Sequence, residues 1–440
     1  MANITAVNNM GLPNNNTVVL MGHSYCRYNS DVDSTFGTAT APGTGGKTYS
    51  RGPFERTNQL LGAPFRCISN LGVDGLTSTQ ILSQIPTVIS KNPGFVWLHM
   101  TTNDVFNSIL PATTISNCKD VIYALASAGI TVLFCGEFPR SSMDATHAGY
   151  LAKTLNYIKD YCAVTDGVIY LDGYGSFADV SSLANMYNGV PDSATMLNET
   201  GVYLHPNSFG ARKVAYAYAQ QLRPFIPLVR LSPFMGSDGN TNGDIQYVTS
   251  NPTMCGTTGT FGTGSSGTLP TSFYSQRVAG SITATCSIVS RATAAAVFAS
   301  GNIFDDGKNG NVIKISLASS AASSDSVVIS STTPTNLASG SGAYQTVLEY
   351  GINPTSGTVS RFDTNVRDAA FAIHNQTNVI GDAGDYLGLS AKETGILASR
   401  RFYLRSYTPQ TISYELYTGT SSGGTADIYI ANAGMRLAQI

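Results

Sequence analysis

Charged side chains are scarce in this sequence of 440 residues: Asp, Glu, Lys and Arg make up only 12% of it, about half the share usual in globular proteins. The formal net charge is −2 and no basic run is present, which argues against nucleic acid or an anionic membrane surface as a partner. Much of the surface must therefore consist of Ser, Thr, Asn and some of the 44 glycines. The hydrophobic content of 42% is nevertheless that of a folded protein.

Long apolar runs and closely paired cysteines are also missing. No stretch approaches the roughly 18 apolar residues of a membrane-spanning helix, and MANITAVNNMGLPNNN has neither the basic start nor the apolar core of a signal peptide. The seven cysteines include no C-x-x-C pair, so neither a disulfide framework nor a zinc site is indicated. We therefore expect no metal and no cofactor, and folding in a reducing cytoplasm.

The first half of the chain, residues 1–228, alternates short apolar runs with helical patterns. Helices are predicted at 114–129, with Ser116 as the N-cap, and at 143–162 and 208–222. Five near-continuous apolar runs are typical of strands buried on both faces of a parallel sheet: TVVLMG (17–22), FRCISNLG (65–72), GFVWLHM (94–100), ITVLFCGEF (130–138) and GVIYLDG (167–173). This alternation predicts an α/β domain of three layers, with helices on both faces of one sheet.

The helical pattern stops at about residue 229. Residues 229–270 are rich in Gly, Ser and Thr, which predicts a linker or irregular region. Nine short alternating segments with turn residues between them follow in residues 271–440. They predict an antiparallel β-sandwich, most simply a jelly roll.

Polar residues follow the predicted strands of the first half. Ser24 follows the first strand, Gly75 the second and Asn103 the third, while His205 precedes the last helix. Ligands of open α/β sheets bind beyond the carboxyl ends of the strands. A serine becomes a nucleophile when a histidine accepts its proton, and the oxyanion that results needs N–H donors. These four residues are therefore candidates for an acyl-transfer site.

Each candidate also has an ordinary structural interpretation. Ser24 and Gly75 could be simple turn residues, and His205 could be a loop histidine that stacks on the following helix. Asn103 and Asp104 could begin a helix, a role compatible with oxyanion binding.

A metal site is the other alternative at this edge of the sheet. His23, His99 and Asp104 would lie near one another there. His99, however, alternates with Leu98 within a predicted strand, and a hydrogen-bonded core histidine explains it better.

The segments GHS, SNLGVDGLTS, TTND and HPNSFG resemble the four signature blocks of the SGNH (GDSL-type) esterase/lipase superfamily, in the same order, over residues 17–225. The resemblance implies a flavodoxin-like α/β hydrolase fold. It also implies that Ser24 is the nucleophile and His205 the base. The backbone N–H groups of Ser24 and Gly75 and the side-chain amide of Asn103 would form the oxyanion hole.

Three positions depart from the family pattern. His23 stands where the family has aspartate, and Thr101 where it has glycine. Val202 occupies the usual position of the acid that orients the histidine, and its side chain accepts no hydrogen bond. Glu199 and Asp192 are the nearest upstream carboxylates, and the orientation of His205 by one of them, by a backbone carbonyl or by nothing stays open.

The neutral composition and the β-rich second half resemble phage tail spike and fibre proteins that carry SGNH deacetylase domains. This resemblance implies an ester hydrolase that removes O-acetyl groups from a bacterial surface polysaccharide, within a virion assembled in the host cytoplasm. The second half would bind glycan, attach to other tail proteins or form a homo-oligomer, with a trimer as the expected state. The alternatives are a non-catalytic receptor-binding or structural virion protein with a degenerate SGNH domain, and a cytoplasmic carbohydrate esterase.

Overall fold

A computed structural model gives the fold of the chain. It describes residues 15–27, 29, 46–48, 52–140, 143–178, 205–206, 208–226, 251, 254–305, 311–319, 326–331, 335–337, 344–368, 373–380, 389–399 and 410–437. The chain divides into two compact units. The first comprises Met1–Ser30 and Ser50–Pro227, and the second comprises Asp31–Tyr49 and Leu228–Ile440.

The first unit contains a parallel sheet of five strands. Its members are β1 (Thr17–Gly22), β3 (Arg66–Asn70), β4 (Phe95–His99), β5 (Thr131–Cys135) and β6 (Val168–Leu171), whereas β2 (Gly46–Thr48) pairs in the second unit. The strand order is β3-β1-β4-β5-β6, and every neighbouring pair is parallel. All five predicted strands are confirmed. Successive strands are added on one side of β1 and then on the other, so the strand order switches between β1 and β4. In open α/β sheets, ligands bind beyond the carboxyl ends of the strands at such a switch point.

Nine helices are described in the first unit, and the three that the sequence predicts, at 114–129, 143–162 and 208–222, are present with similar bounds. The nine are α1 (Ser24–Arg27), α2 (Pro53–Leu60), α3 (Ser78–Leu82), α4 (Ile85–Ser90), α5 (Thr102–Phe106), α6 (Pro111–Ser127), α7 (Ala145–Ala163), α8 (Tyr174–Phe177) and α9 (Ser208–Leu222). The prediction of Ser116 as an N-cap is wrong. Leu110 is the N-cap of α6, because Pro111 suits the first helical position, where its missing N–H costs nothing.

Two apolar clusters lie on opposite faces of the parallel sheet. Val18 and Leu20 of β1 belong to one cluster, and Val19 and Met21 belong to the other. Because successive side chains of a strand point to opposite faces, this alternation buries β1 on both sides. The three layers expected from the sequence are thus present.

The second unit is built mainly of antiparallel strands in two sheets. Besides β2, its strands are β7 (Thr260–Phe261), β8 (Ser265–Gly267), β9 (Phe273–Ala279), β10 (Thr283–Ser290), β11 (Asn311–Ala318), β12 (Ser326–Ser331), β13 (Thr335–Leu337), β14 (Tyr344–Ser356), β15 (Val359–Asp368), β16 (Ile373–Ile380), β17 (Glu393–Ala398), β18 (Gln410–Thr420) and β19 (Thr425–Leu437). One sheet has the order β17-β14-β19-β11-β10-β8. The other has the order β2-β16-β15-β18-β12-β9-β7, with β13 also paired to β18.

One apolar cluster receives side chains from both of these sheets. Ile313 and Ile428 come from the first sheet, and Ile329 and Phe362 from the second. A jelly-roll connectivity stays a prediction. Helix α10 (Arg291–Ala295) follows β10.

The predicted domain borders need correction at two places. Residues 46–48, placed in the first domain by the sequence, pair with β16. Residues 254–270 of the predicted linker supply β7, β8 and two buried core side chains, Met254 and Leu269. The Gly-rich composition of this stretch suggested irregular structure, but short strands tolerate such residues when neighbouring strands supply the hydrogen bonds. Within the described ranges, no helix has the length and apolarity needed to cross a bilayer.

Candidate active site

Strand β1 delivers Ser24 to the carboxyl edge of the sheet. The strand ends at Gly22, whose φ of +140° turns the chain sharply, and α1 begins two residues later with Ser24. The carbonyl of His23 accepts hydrogen bonds from the N–H groups of Cys26 and Arg27, at 3.0 and 3.2 Å. Ser24 is only 6% exposed. Ser24 therefore begins a short, buried helical turn that follows β1.

The side chain of Asn70 connects α1 to the loop after β3. Its Nδ2 donates to the carbonyl oxygen of Cys26 at 2.9 Å, and its Oδ1 accepts from the N–H of Gly72 at 2.9 Å. A Cβ on Gly72 would lie 2.3 Å from the nitrogen of Arg27. Glycine at this position thus allows the loop to lie directly against α1.

Gly75 lies in the turn that continues this loop. Its φ is +75°, and a Cβ there would find no heavy atom within 4 Å. Backbone conformation, and not lack of space, therefore favours glycine here. Beside the turn, the exposed side chains of Arg27 and Asp74 form an ion pair between α1 and the loop.

Asn103 lies in the first turn of α5, directly after β4. Its Nδ2 donates to the carbonyl oxygen of Leu76 at 3.0 Å, which leaves the second amide hydrogen for a ligand. The next residue, Asp104, is buried and accepts hydrogen bonds from the N–H and hydroxyl of Ser78 and from the hydroxyl of Thr114. Asp104 thus joins α5 to α3 and α6, which holds Asn103 in place.

His205 is buried, and its imidazole contacts the ring of Tyr25. The two rings are T-shaped, with centroids 5.9 Å apart. Tyr25 directly follows Ser24, so the fold brings the predicted base to the segment of the predicted nucleophile. Val202, Glu199 and Asp192 lie outside the described residues.

The sequence analysis missed Glu137, which is completely buried just beyond β5. Its Oε1 accepts hydrogen bonds from Nε2 of His23 at 2.9 Å and from the N–H of Thr101 at 3.2 Å. Burial alone would raise the pKa of this carboxyl, but the interactions with His23 and His99 outweigh it, so the pKa lies below its usual range. The predicted strand ITVLFCGEF extends to residue 138 and so includes Glu137. In the structure β5 ends at Cys135, which places Glu137 just after an apolar strand, the same kind of position as Ser24 and Asn103.

His99 is buried, as expected, but the prediction that it is hydrogen-bonded is wrong. Nδ1 lies 3.6 Å from Oε1 of Glu137, and neither ring nitrogen has a hydrogen-bond partner among the described residues. Burial lowers the pKa of this imidazole. No cluster of three or more His, Cys, Asp or Glu side chains in the described part of the chain has the arrangement of a metal site.

Together these residues form a polar edge that can support acyl transfer. A hydroxyl follows β1, a glycine turn follows β3, and an amide follows β4. An imidazole from the segment before α9 contacts Tyr25, which directly follows the hydroxyl-bearing Ser24. The arrangement therefore supplies a hydroxyl, an imidazole and an amide, three of the groups that the serine mechanism uses.

No protein-family model matches this chain, and no curated protein does. Among solved structures it is similar to a lipolytic protein of the G-D-S-L family from Veillonella parvula DSM 2008, with 18% identity over 46% of this chain and 96% of that one, at a TM-score of 0.34. It is also similar to a GDSL-like lipase from Bacteroides thetaiotaomicron VPI-5482, with 16% identity over 50% and 95% of the chains, at 0.34.

A third similar structure is a catalytic mutant of an acetylxylan esterase from Geobacillus stearothermophilus. It is 13% identical over 49% of this chain and 97% of that one, with a TM-score of 0.35. Each likeness spans about half of this chain. The function proposed below therefore depends on the chain's own residues.

Proposed function

We propose that the chain is a serine ester hydrolase whose chemistry takes place at the carboxyl edge of the parallel sheet. The observation that carries the proposal is the contact of His205 with Tyr25, next to Ser24. Segments far apart in the sequence meet at the edge where Gly75 and Asn103 also lie. That meeting is what nucleophilic catalysis by serine needs.

In the proposed mechanism Ser24 attacks the carbonyl carbon of an ester while His205 accepts its proton. The N–H groups of Ser24 and Gly75 and the amide of Asn103 stabilise the oxyanion. Loss of one such donor costs about 10²–10³ in kcat in enzymes of this type. His205 then gives the proton to the leaving alcohol, and water releases the acyl group by the same steps in reverse.

The proposed substrate is an O-acetyl ester of a bacterial surface polysaccharide. The exposed ion pair of Arg27 and Asp74 supports a hydrophilic substrate, since Arg27 ends the short helix that Ser24 begins. Hydroxyl-rich glycans suit such a rim, because they exchange hydrogen bonds with water for hydrogen bonds with protein.

The proposal extends to the setting of the enzyme. A phage tail spike or fibre is consistent with the low charge and the β-rich second unit, which would bind glycan or other tail proteins, with a trimer as the assembly. Detection of the chain in purified particles, together with its mass in solution, tests this part. A monomer that is absent from particles would contradict it.

The central experiment measures acetate release from O-acetylated polysaccharide and hydrolysis of p-nitrophenyl acetate. Wild type should turn over both substrates, and Ser24→Ala and His205→Ala should each lose nearly all activity. Ser90→Ala is the matched control, since this exposed serine ends α4 and only donates to the carbonyl of Thr87. Glycan binding by all variants, with no turnover by wild type, would instead identify a non-catalytic binding protein.

A further inference from the structure

Three neighbouring strands, β1, β4 and β5, have titratable side chains at or just after their carboxyl ends, the edge of the sheet where Ser24 lies. His23 follows β1, His99 ends β4, and Glu137 follows β5. All three side chains are completely buried. The proposed reaction uses none of them, and His23 stands where the resembling family has aspartate.

Both ring nitrogens of His23 contact groups other than the hydroxyl of Ser24. Nε2 of His23 donates to Glu137 at 2.9 Å, while its Nδ1 faces the backbone N–H of Tyr25 at 3.4 Å. An N–H that points at Nδ1 requires a lone pair there, so we assign the ring proton to Nε2 from this hydrogen-bond geometry. The carboxylate of Glu137 thus fixes the orientation of the His23 ring, and Nδ1 of that ring accepts the hydrogen bond from the backbone N–H of Tyr25.

Tyr25 passes this positioning to His205. Its ring is stacked on Phe138, with centroids 4.3 Å apart, and makes T-shaped contacts with His23 at 5.0 Å and His99 at 5.6 Å. A further T-shaped contact is with His205. A ring enclosed on these sides has little freedom to rotate, so it offers the imidazole a fixed surface.

We infer that Glu137, acting through His23 and Tyr25, is a positioning residue for the proposed base His205, and that its buried negative charge favours the imidazolium formed during catalysis. The inference rests on the proposed function for its catalytic meaning. Opposite charges attract strongly where water is excluded. Such a carboxylate therefore acts on the imidazolium without touching it.

The thiols and phenols around Glu137, which His23 contacts at 2.9 Å, add no further negative charge. Burial raises the pKa of the surrounding thiols and phenols, which keeps them neutral. They are Cys26, Cys118, Cys135, Tyr170 and Tyr218. Burial also lowers the pKa of His99, so this imidazole is mainly neutral at neutral pH. Tyr25 faces both His23 and His205 and separates them.

The first test is Glu137→Gln. The amide retains an oxygen that accepts from His23 and Thr101 but removes the charge, so the variant should fold. We expect kcat to fall about tenfold with KM within about twofold, and the acidic limb of kcat/KM to move about one unit to lower pH. The limb moves down because the imidazole loses the charge that favours its protonated form.

A second variant and a matched control separate positioning from general stability. His23→Gln keeps a donor towards Glu137 but loses the acceptor for the N–H of Tyr25, and it should also lower kcat. Glu349→Gln is the control, because Glu349 is equally buried in the second unit and accepts from Arg291 and Asn432. This control should leave the pH profile unchanged.

An NMR titration of His205 gives a readout that does not need turnover. The chain has only five histidines, and the His205 signal is assigned by its loss in His205→Ala. A lower pKa of His205 in Glu137→Gln supports the inference, even if wild type hydrolyses no ester and the proposed function fails. An active wild type whose His205 pKa and acidic limb are the same in Glu137→Gln overturns it.

Discussion

Gly22 and His99 lie so close together across β1 and β4 that a Cβ on residue 22 would stand 2.0 Å from the carbonyl oxygen of His99. The glycine also has a φ of +140°, which other residues rarely adopt. Both features let the chain turn towards Ser24 without separating the two strands.

Gly22→Ala should therefore destabilise the first unit by more than about 2 kcal/mol, because strain and a backbone clash combine. Urea unfolding followed by the fluorescence of Trp97 measures this, since the sole tryptophan is buried in β4. Gly129→Ala is the control, with a φ of +76° but open space around its Cβ. Equal losses in the two variants would contradict the role of the close approach.

Asn70→Asp tests the connection between α1 and the loop that carries Gly75. Aspartate keeps the oxygen that accepts from the N–H of Gly72. It replaces the Nδ2 donor with a second oxygen, which repels the carbonyl oxygen of Cys26. We expect kcat for p-nitrophenyl acetate to fall about tenfold or more, because displacement of Ser24 disturbs the alignment of attack. Unchanged kinetics would show that this hydrogen bond does not position the nucleophile.

Asn103→Ala should lower kcat by about 10²–10³ and leave KM nearly unchanged, because the amide acts on the oxyanion and not on the bound ester. Steady-state kinetics with p-nitrophenyl acetate measure both constants. Asn107→Ala is the control, since its exposed side chain donates only to the carbonyl of Asn103. A rise in KM with normal kcat would instead assign Asn103 to substrate binding.

The buried His99 should make the first unit sensitive to acid. Burial lowers the pKa of His99 from 6.5 in the folded state, so the unfolded chain binds more protons once the pH falls below about 6.5. Its contribution to the free energy of unfolding is complete above that pH and is lost as the pH decreases, by at most about 1.4 kcal/mol per pH unit. Glu137, whose pKa is also lowered, adds a further loss as the pH falls below 4.5.

His99→Phe should remove the first part of this acid sensitivity. Phenylalanine does not titrate, and neither ring nitrogen of His99 has a hydrogen-bond partner among the described residues, so the variant should be at least as stable as wild type at pH 7. Urea midpoints between pH 8 and pH 4, read from Trp97, compare the two proteins. The same pH dependence in both would show that His99 does not titrate on unfolding.

The sequence by itself determined the elements of the first unit and the kind of residue that ends each strand. Apolar runs such as TVVLMG are buried on both faces wherever they lie in a parallel sheet, and Gly22 and Gly75 allow turns that other residues resist. Ser24, Asn103 and His205 were identified from their places after strands or before a helix. These are local properties, and they survive in any fold that keeps the strands parallel.

Only the tertiary structure decided which of these groups meet. The hydrogen bond between His23 and Glu137 joins residues 114 positions apart, and it exists because β1, β4 and β5 are neighbours in the strand order. The pairing of residues 46–48 with β16 and the surroundings of His99 depend in the same way on contacts between distant segments. Local sequence patterns do not predict such pairings, because burial and hydrogen bonding between distant strands arise only in the folded chain.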